Sequence, residues 1–238
     1  MKAMILAAGL GTRLKPFTDF HPKALAPVHG KPVLAWTIDY LYQYGVRDII
    51  INVHHFADQI ISFVNEFERP GLQLSISDEQ DAVLETGGGL KKASWFFNNG
   101  EPFILMNADI LTTMPLHEFI DFHYRNKGLV SLAVSKRESS RCFLFNAENQ
   151  LCGWRNKLKN ETKYSRNTEH DLVEMAFGGI HIIDPAFFKY LTQEGKFSIV
   201  DTYLEVAKTE TILGFDHSAY TLLDIGKPES LLLAETMF

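Results

Sequence analysis

The sequence predicts an α/β protein built on a doubly wound sheet, on three observations. Residues 2–7 form an apolar run with no polar face, short enough for a buried strand. From there to residue 77 strand-like and helix-like segments alternate, the pattern of a sheet joined by right-handed crossovers. A length of 238 residues supplies one sizeable core with room for a small attached lobe.

The elements follow in order. Pro32 opens a helix in which Val33, Leu34, Ile38, Leu41 and Tyr42 recur at helical spacing, and Gly45 ends it. Residues 48–53 are a β-branched strand. Phe56, Ile60, Ile61, Val64 and Phe67 mark a second amphipathic helix, and 72–77 another strand. A glycine triplet precedes a helix at 90–97. A continuous apolar strand at 102–106 runs into Asn107-Ala108-Asp109, before a helix at 116–122 and a strand at 129–134. From 135 to 168 charges accumulate around two short strand-like runs, 143–145 and 150–154, with a polar stretch from 155 to 168. This segment is expected to be an inserted hairpin lobe ending in a mobile loop. Residues 175–183 return as a strand interrupted by Gly178-Gly179, the mark of a bulge or of close ligand approach. A helix at 199–207, strands at 211–215 and 220–223, and a helix at 229–236 complete the chain.

Composition narrows the function. Hydrophobic residues make up 46% and charged residues 22%, as in ordinary soluble domains. A formal net charge of -6 argues against a nucleic-acid surface, so an anionic ligand must be met by local positive charge or by metal. Cys142 and Cys152 have no metal-ligand spacing and make no disulfide framework. No apolar run approaches a bilayer span, and Met1 leads straight into the first strand. The expectation is a cytoplasmic enzyme with neither nucleic acid nor membrane as partner. His181, within an apolar strand, is read as a packed histidine, and His54-His55, with no third ligand nearby in sequence, as structural.

The chemistry concentrates where the first strand ends, at Ala8-Gly9-Leu10-Gly11-Thr12-Arg13. Two glycines allow tight turns and leave no side chain between backbone and ligand. Successive N–H groups in such a turn make a concavity that suits phosphate oxygens. Arg13 adds a planar cationic fork and Lys23 a point charge on a flexible stem, while Pro16 and Pro22 restrict the loop between them. The spacing is neither of the familiar phosphate fingerprints, because Leu14 stands where a third glycine would be and no G-x-x-x-x-G-K follows. In doubly wound sheets ligands lie at the carboxyl ends of strands, which puts this loop, the segment after Ser77 and the segment after Met106 on one rim. Asp109 by itself fits an N-cap as well as a metal ligand. Hard oxygen ligands suit Mg²⁺, which takes one or two carboxylates together with substrate phosphates.

Taken together, LAAGLGTRLxPxT…PK resembles the signature of the sugar-1-phosphate nucleotidyltransferases, a family with a Rossmann-like, mixed-sheet α/β fold. The resemblance implies joining of a nucleoside triphosphate and a sugar 1-phosphate, with release of pyrophosphate and Mg²⁺ as cofactor. It implies one domain over 1–238, a nucleotide half at about 1–134 and a sugar half at about 135–238, with the hairpin lobe over the sugar side. Nucleotide contacts are implied at Leu6, Ala8, Gly9, Gly11, Thr12, Arg13 and Lys23, with Arg13 and Lys23 acting on the reacting phosphates. The base would be read at Thr86, Gly87 and Gly88. Glu85 offers acceptors to a base edge or stands as a solvated loop carboxylate. Metal ligation is implied at Asp109 and, in Leu222-Leu223-Asp224-Ile225-Gly226-Lys227, at Asp224; Lys227 replaces the family's usual threonine. The acceptor sugar phosphate would meet Asn107 and Gly179. The family's Glu-Lys pair is replaced by Trp154-Arg155-Asn156-Lys157 without an acidic partner, leaving Arg155 and Lys157 for the phosphate or for solvent. Leu84 to Gly89 is similar to the N-acetylmuramate 1-phosphate uridylyltransferases, which makes UTP the leading nucleotide. A mannose-1-phosphate guanylyltransferase and a catalytically silent nucleotide-sugar-binding regulator are the alternatives.

Overall fold

The structure, a computed structural model, describes residues 1–167 and 171–238. Its strands of three residues or more are β1 (Ala3–Leu6), β2 (Asp48–Val53), β3 (Gln73–Asp78), β4 (Phe103–Asn107), β5 (Ile110–Thr112) and β6 (Val130–Ser135) in the first part of the chain. There follow β7 (Arg141–Phe145), β8 (Leu151–Asn156), β9 (Glu161–Tyr164), β10 (Val173–Ile183), β11 (Ile212–Asp216) and β12 (Leu222–Asp224). The helices are α1 (Val33–Gln43), α2 (Ala57–Glu66), α3 (Glu85–Lys92), α4 (Leu116–Asn126), α5 (Ile199–Val206) and α6 (Pro228–Met237).

Parallel strands in the order β3-β2-β1-β4 make one half of the main sheet. β10 lies antiparallel between β4 and β6, and β11 adds parallel to β6. The sheet is therefore mixed and doubly wound. Alternate residues of each strand face opposite sides. Ile5, Ile51 and Met106 pack with Ile38 of α1, Ile60 of α2 and Phe119 of α4 on one face. Met4, Ile50 and Leu105 pack with Leu90 of α3 and Tyr203 of α5 on the other. A smaller cluster of Leu14, Val28, Val33, Leu111, Ile225 and Ala234 joins the loop after β1 to the start of α1, to β5 and to α6.

Three expectations need correction. The helix placed at 90–97 begins at Glu85, so the glycine triplet lies inside α3, and a short 3-10 turn at Ser94–Phe96 follows. The hairpin lobe is an extension of the sheet: β7, β8 and β9 form an antiparallel meander, and β7 pairs with Val173–Met175 of β10. The last residue of the loop expected there, Thr168, lies outside the described residues. The strand placed at 220–223 is β12, which pairs with β5 away from the main sheet. The glycine interruption of β10 is a bulge, since its register against β6 shifts between Phe177 and His181 and Gly179 has φ +76°.

His181 is packed as expected, its Nδ1 sharing a hydrogen bond of 2.7 Å with the Tyr203 hydroxyl. Burial depresses it from the ordinary 6.5 to about 3. Between those values the unfolded chain binds a proton that the fold does not, so this contribution is complete above pH 6.5 and declines as pH falls towards 3. His181→Gln keeps a partner for Tyr203 and removes the titration. Urea denaturation across that range is expected to show a shallower fall of stability, with the remaining slope carried in part by His123 and His217, both lowered by burial.

Candidate active site

The loop after β1 is anchored from below. The Ala7 N–H donates to Asn52 Oδ1 at 2.7 Å, and Asn52 Nδ2 donates to Glu79 Oε1 at 2.8 Å. Gly9 has no atom near its missing side chain, whereas a Cβ on Gly11 would stand 2.9 Å from both Lys23 Cβ and Thr18 Cγ2. Gly11 also takes φ +65°, and its carbonyl accepts from the Thr18 hydroxyl at 3.0 Å and the Leu14 N–H at 2.9 Å. Glycine is required there on both counts. This close approach lays the Lys23 stem against the loop.

Asp109 stands two residues beyond β4. Its own carbonyl accepts from the Ile225 N–H at 2.8 Å, and Asp224 sits opposite Ile110 in the β5–β12 ladder. The two carboxylates are thus brought together by backbone pairing. The Lys23 ammonium is bonded to Asp109 Oδ2 and lies 3.6 Å from Asp224 Oδ1. Burial pushes the Asp109 carboxyl up, Lys23 draws it down and Asp224 pushes it up again, with a net rise. Arg13 reaches the same place, its Nη2 standing 3.0 Å from where a Cβ on Gly226 would be.

These groups border a cavity of about 360 Å³. Of the residues named from sequence, Leu6, Ala8, Gly9, Gly11, Thr12, Arg13, Lys23, Thr86, Asn107 and Asp109 line it, and Gly226 does too. Asp224 adjoins it through Lys23. Gly179 lies behind Asn107, whose Nδ2 would be 3.0 Å from a Cβ there.

Gly87 and Gly88 are not on the cavity wall, and this corrects their placement at the base. Both N–H groups point to the Phe197 carbonyl, at 3.0 and 3.4 Å, so neither is free for a ligand. A Cβ on Gly87 would overlap the Phe197 ring, and one on Gly88 the Gly195 carbonyl. The triplet lets α3 pack against the chain entering α5, and Thr86 Oγ1 accepts from the Ile199 N–H at 3.0 Å. Arg155 and Lys157 also do not line the cavity. Contrary to expectation they have an acidic partner, Glu174 of β10, with Lys157 Nζ 2.7 Å from Oε2 and Arg155 Nη1 on Oε1. Those two cations hold the Glu174 carboxyl below its usual range, Lys157 foremost.

The sequence reading missed Asn52, Val83 and Glu79. Asn52 and Val83 line the cavity, and Glu79 backs Asn52 with only 1% exposure. A signal existed for Asn52, an amide at the carboxyl end of an Ile- and Val-rich strand. Glu79 carried none, because a carboxylate in a polar run is ordinarily solvated. Burial raises its pKa, and its Oε2 has no partner among the described residues.

With two clustered carboxylates, two cations and an N–H-rich loop, the site suits a polyanion held with a divalent cation. The chain belongs to the nucleotidyl transferase family, whose model matches residues 2–144. Its class there is that of the enzymes joining a nucleotide to a sugar 1-phosphate. An N-acetylmuramate alpha-1-phosphate uridylyltransferase of Caulobacter vibrioides is 28% identical over 239 residues, covering 98% of this chain and 95% of that protein. A mannose-1-phosphate guanyltransferase of Yarrowia lipolytica is 26% identical, over 100% of this chain and 64% of that protein. The crystal structure of HddC from Yersinia pseudotuberculosis complexed with GMP-PN shares the fold, with a TM-score of 0.78 at 22% identity, 99% of this chain and 98% of that one being covered. No helix among the described residues is long and apolar enough to cross a membrane.

Gly88→Ala tests the packing role of the triplet. Alanine gains about 1 kcal/mol of helix propensity over glycine. Overlap with a backbone carbonyl outweighs it, so the thermal midpoint is expected to fall, and a rise would refute the packing account.

Proposed function

We propose that the chain transfers a uridylyl group from UTP to N-acetylmuramate 1-phosphate, with Mg²⁺ as cofactor and pyrophosphate as the second product. The observation that carries the reaction is the meeting of Asp109, Asp224 and Lys23 beside the glycine loop. The lean to this nucleotide and sugar rests on the Leu84–Gly89 segment and on the full-length likeness to the Caulobacter vibrioides enzyme.

The residues present fit Mg²⁺. Asp109 is mostly buried and Asp224 half-exposed beside it, and a cation between the two carboxylates offsets their mutual repulsion. No third His, Cys, Asp or Glu joins them among the described residues, which matches an ion that completes its shell with phosphates and water. When bound by Asp109 and Asp224, Mg²⁺ would neutralise the charge of nucleotide and acceptor phosphates.

The chain's own groups then have distinct tasks. The loop from Ala8 to Thr12 presents N–H groups to the triphosphate, and Arg13 stabilises the β- and γ-phosphates as they leave. Lys23 meets the α-phosphate or the acceptor phosphate. An acceptor phosphate is ionised at neutral pH, so no protein base or nucleophile is needed, and catalysis rests on alignment and charge. Val83, Glu85 and Thr86 are the base-side residues in this reading, and Asn107 with Gly179 the acceptor side. One domain, nucleotide half first, houses both. Glu85 supports the second reading, a mannose-1-phosphate guanylyltransferase, because a carboxylate on the cavity wall could take the ring N–H and amino group of guanine.

Pyrophosphate release with Mg²⁺, each nucleoside triphosphate and a panel of sugar 1-phosphates decides among these. UTP with N-acetylmuramate 1-phosphate is expected to turn over fastest. Preference for GTP and mannose 1-phosphate favours the second reading, and silence with tight nucleotide-sugar binding would mean a regulator. Asp109→Asn is expected to cut turnover by about 100-fold or more while shifting the thermal midpoint little. Equal damage to both would make Asp109 a structural residue.

A further inference from the structure

We propose that Lys23 is a tethered counter-ion that occupies the gap between Asp109 and Asp224 until nucleotide phosphate draws it away, so that nucleotide enters before the metal. This rests on the reading of the two aspartates as metal ligands. The β5–β12 ladder fixes both backbones, so the fold holds the two carboxylates close and only side-chain rotation separates them. A cation between them offsets that repulsion, and the ammonium that lies there belongs to a side chain only 15% exposed. Its base is also fixed, since Lys23 Cβ packs against Gly11 and the residue opens the turn Lys23–Leu25. The stem is the part free to swing.

A metal ion and the ammonium cannot share one gap. In the nucleotide-free protein an entering divalent cation competes with a charge whose effective concentration is set by a short tether. A triphosphate in the adjoining cavity offers that ammonium new oxygens within reach of the same stem. Lys23 then moves from carboxylate to phosphate, the pair of aspartates is left without its counter-ion, and the metal is taken up. Asp224 is 45% exposed, so the gap is open to solvent for that entry. One residue thereby couples the two ligands, and each raises affinity for the other.

The test is Mn²⁺ binding, followed by the paramagnetic signal of the free ion, together with thermal midpoints. The proteins are the wild type, Lys23→Arg, Lys23→Met and Lys23→Met/Asp224→Asn. Without nucleotide, Lys23→Met is expected to bind Mn²⁺ about tenfold or more tighter than the wild type, because the competing charge has gone. Its midpoint should be low in chelator and recover with Mn²⁺. The double variant should regain the midpoint without metal, its repulsion removed, and lose the tightened binding; Lys23→Arg, which keeps the competing charge, should bind Mn²⁺ without nucleotide as weakly as the wild type does. Equal Mn²⁺ binding by wild type and Lys23→Met without nucleotide, with UTP bringing metal to both, would overturn the counter-ion role and leave the metal site standing. A midpoint loss that Mn²⁺ does not restore would likewise reduce Lys23 to packing. Absence of Mn²⁺ binding even with UTP would remove the metal site and this inference together.

Discussion

The site depends on a three-residue antiparallel ladder that sets Asp109 and Asp224 side by side. So short a pairing has little stability of its own. It is held because Leu111 and Ile225 sink into the cluster that also buries Leu14, Val33 and Ala234. The loop after β1, the first turn of α1 and the last helix therefore pack on the same few side chains as the ladder. A shift in any of them moves the carboxylates relative to the glycine loop. The repulsion between the acids is offset by Lys23, whose position is set from the loop side through Gly11. Charge and packing thus fix one geometry from two directions.

The glycines divide by what they allow. Gly9 leaves open space over the cavity, and Gly11 and Gly226 let cationic side chains come close to the loop and to Asp224. Gly87 and Gly88 let two backbones touch, and their N–H groups are spent on Phe197. In sequence both kinds look alike, since each is a glycine in a segment that follows a strand. The partner that separates them is more than a hundred positions away in the chain, so no local pattern distinguishes a loop open to a cavity from a helix contact.

This is also why the fold was more legible than the site. Apolar periodicity records which face of each element is buried, and that placed the parallel strands, α1, α2 and α4 within a few residues, while α3 was set five residues too late. Local motifs pointed to Arg13, Lys23 and the strand-end acids, which the fold gathers at one cavity, because a glycine turn and an acid at a strand end are short-range features. What sequence withheld were contacts made across the sheet. Asn52 and Glu79 form a buried polar pair only because β2 and β3 lie side by side, and their residue types alone predict solvent.

Arg155 of β8 and Lys157 just beyond it show the same limit in its sharpest form. Arg155 stands opposite Cys142 on β7, and Glu174 of β10 stands opposite Leu144 on the same strand. Cys142 and Leu144 are two positions apart, so all four side chains share one face of the sheet. Arg155 and Glu174 are then diagonal neighbours across an intervening strand, about two strand spacings apart, which two long side chains can span. Lys157 follows Arg155 by two and falls on that face as well. The acid that neutralises them is fixed by register through a strand containing neither, and register is what a linear reading of charges leaves out.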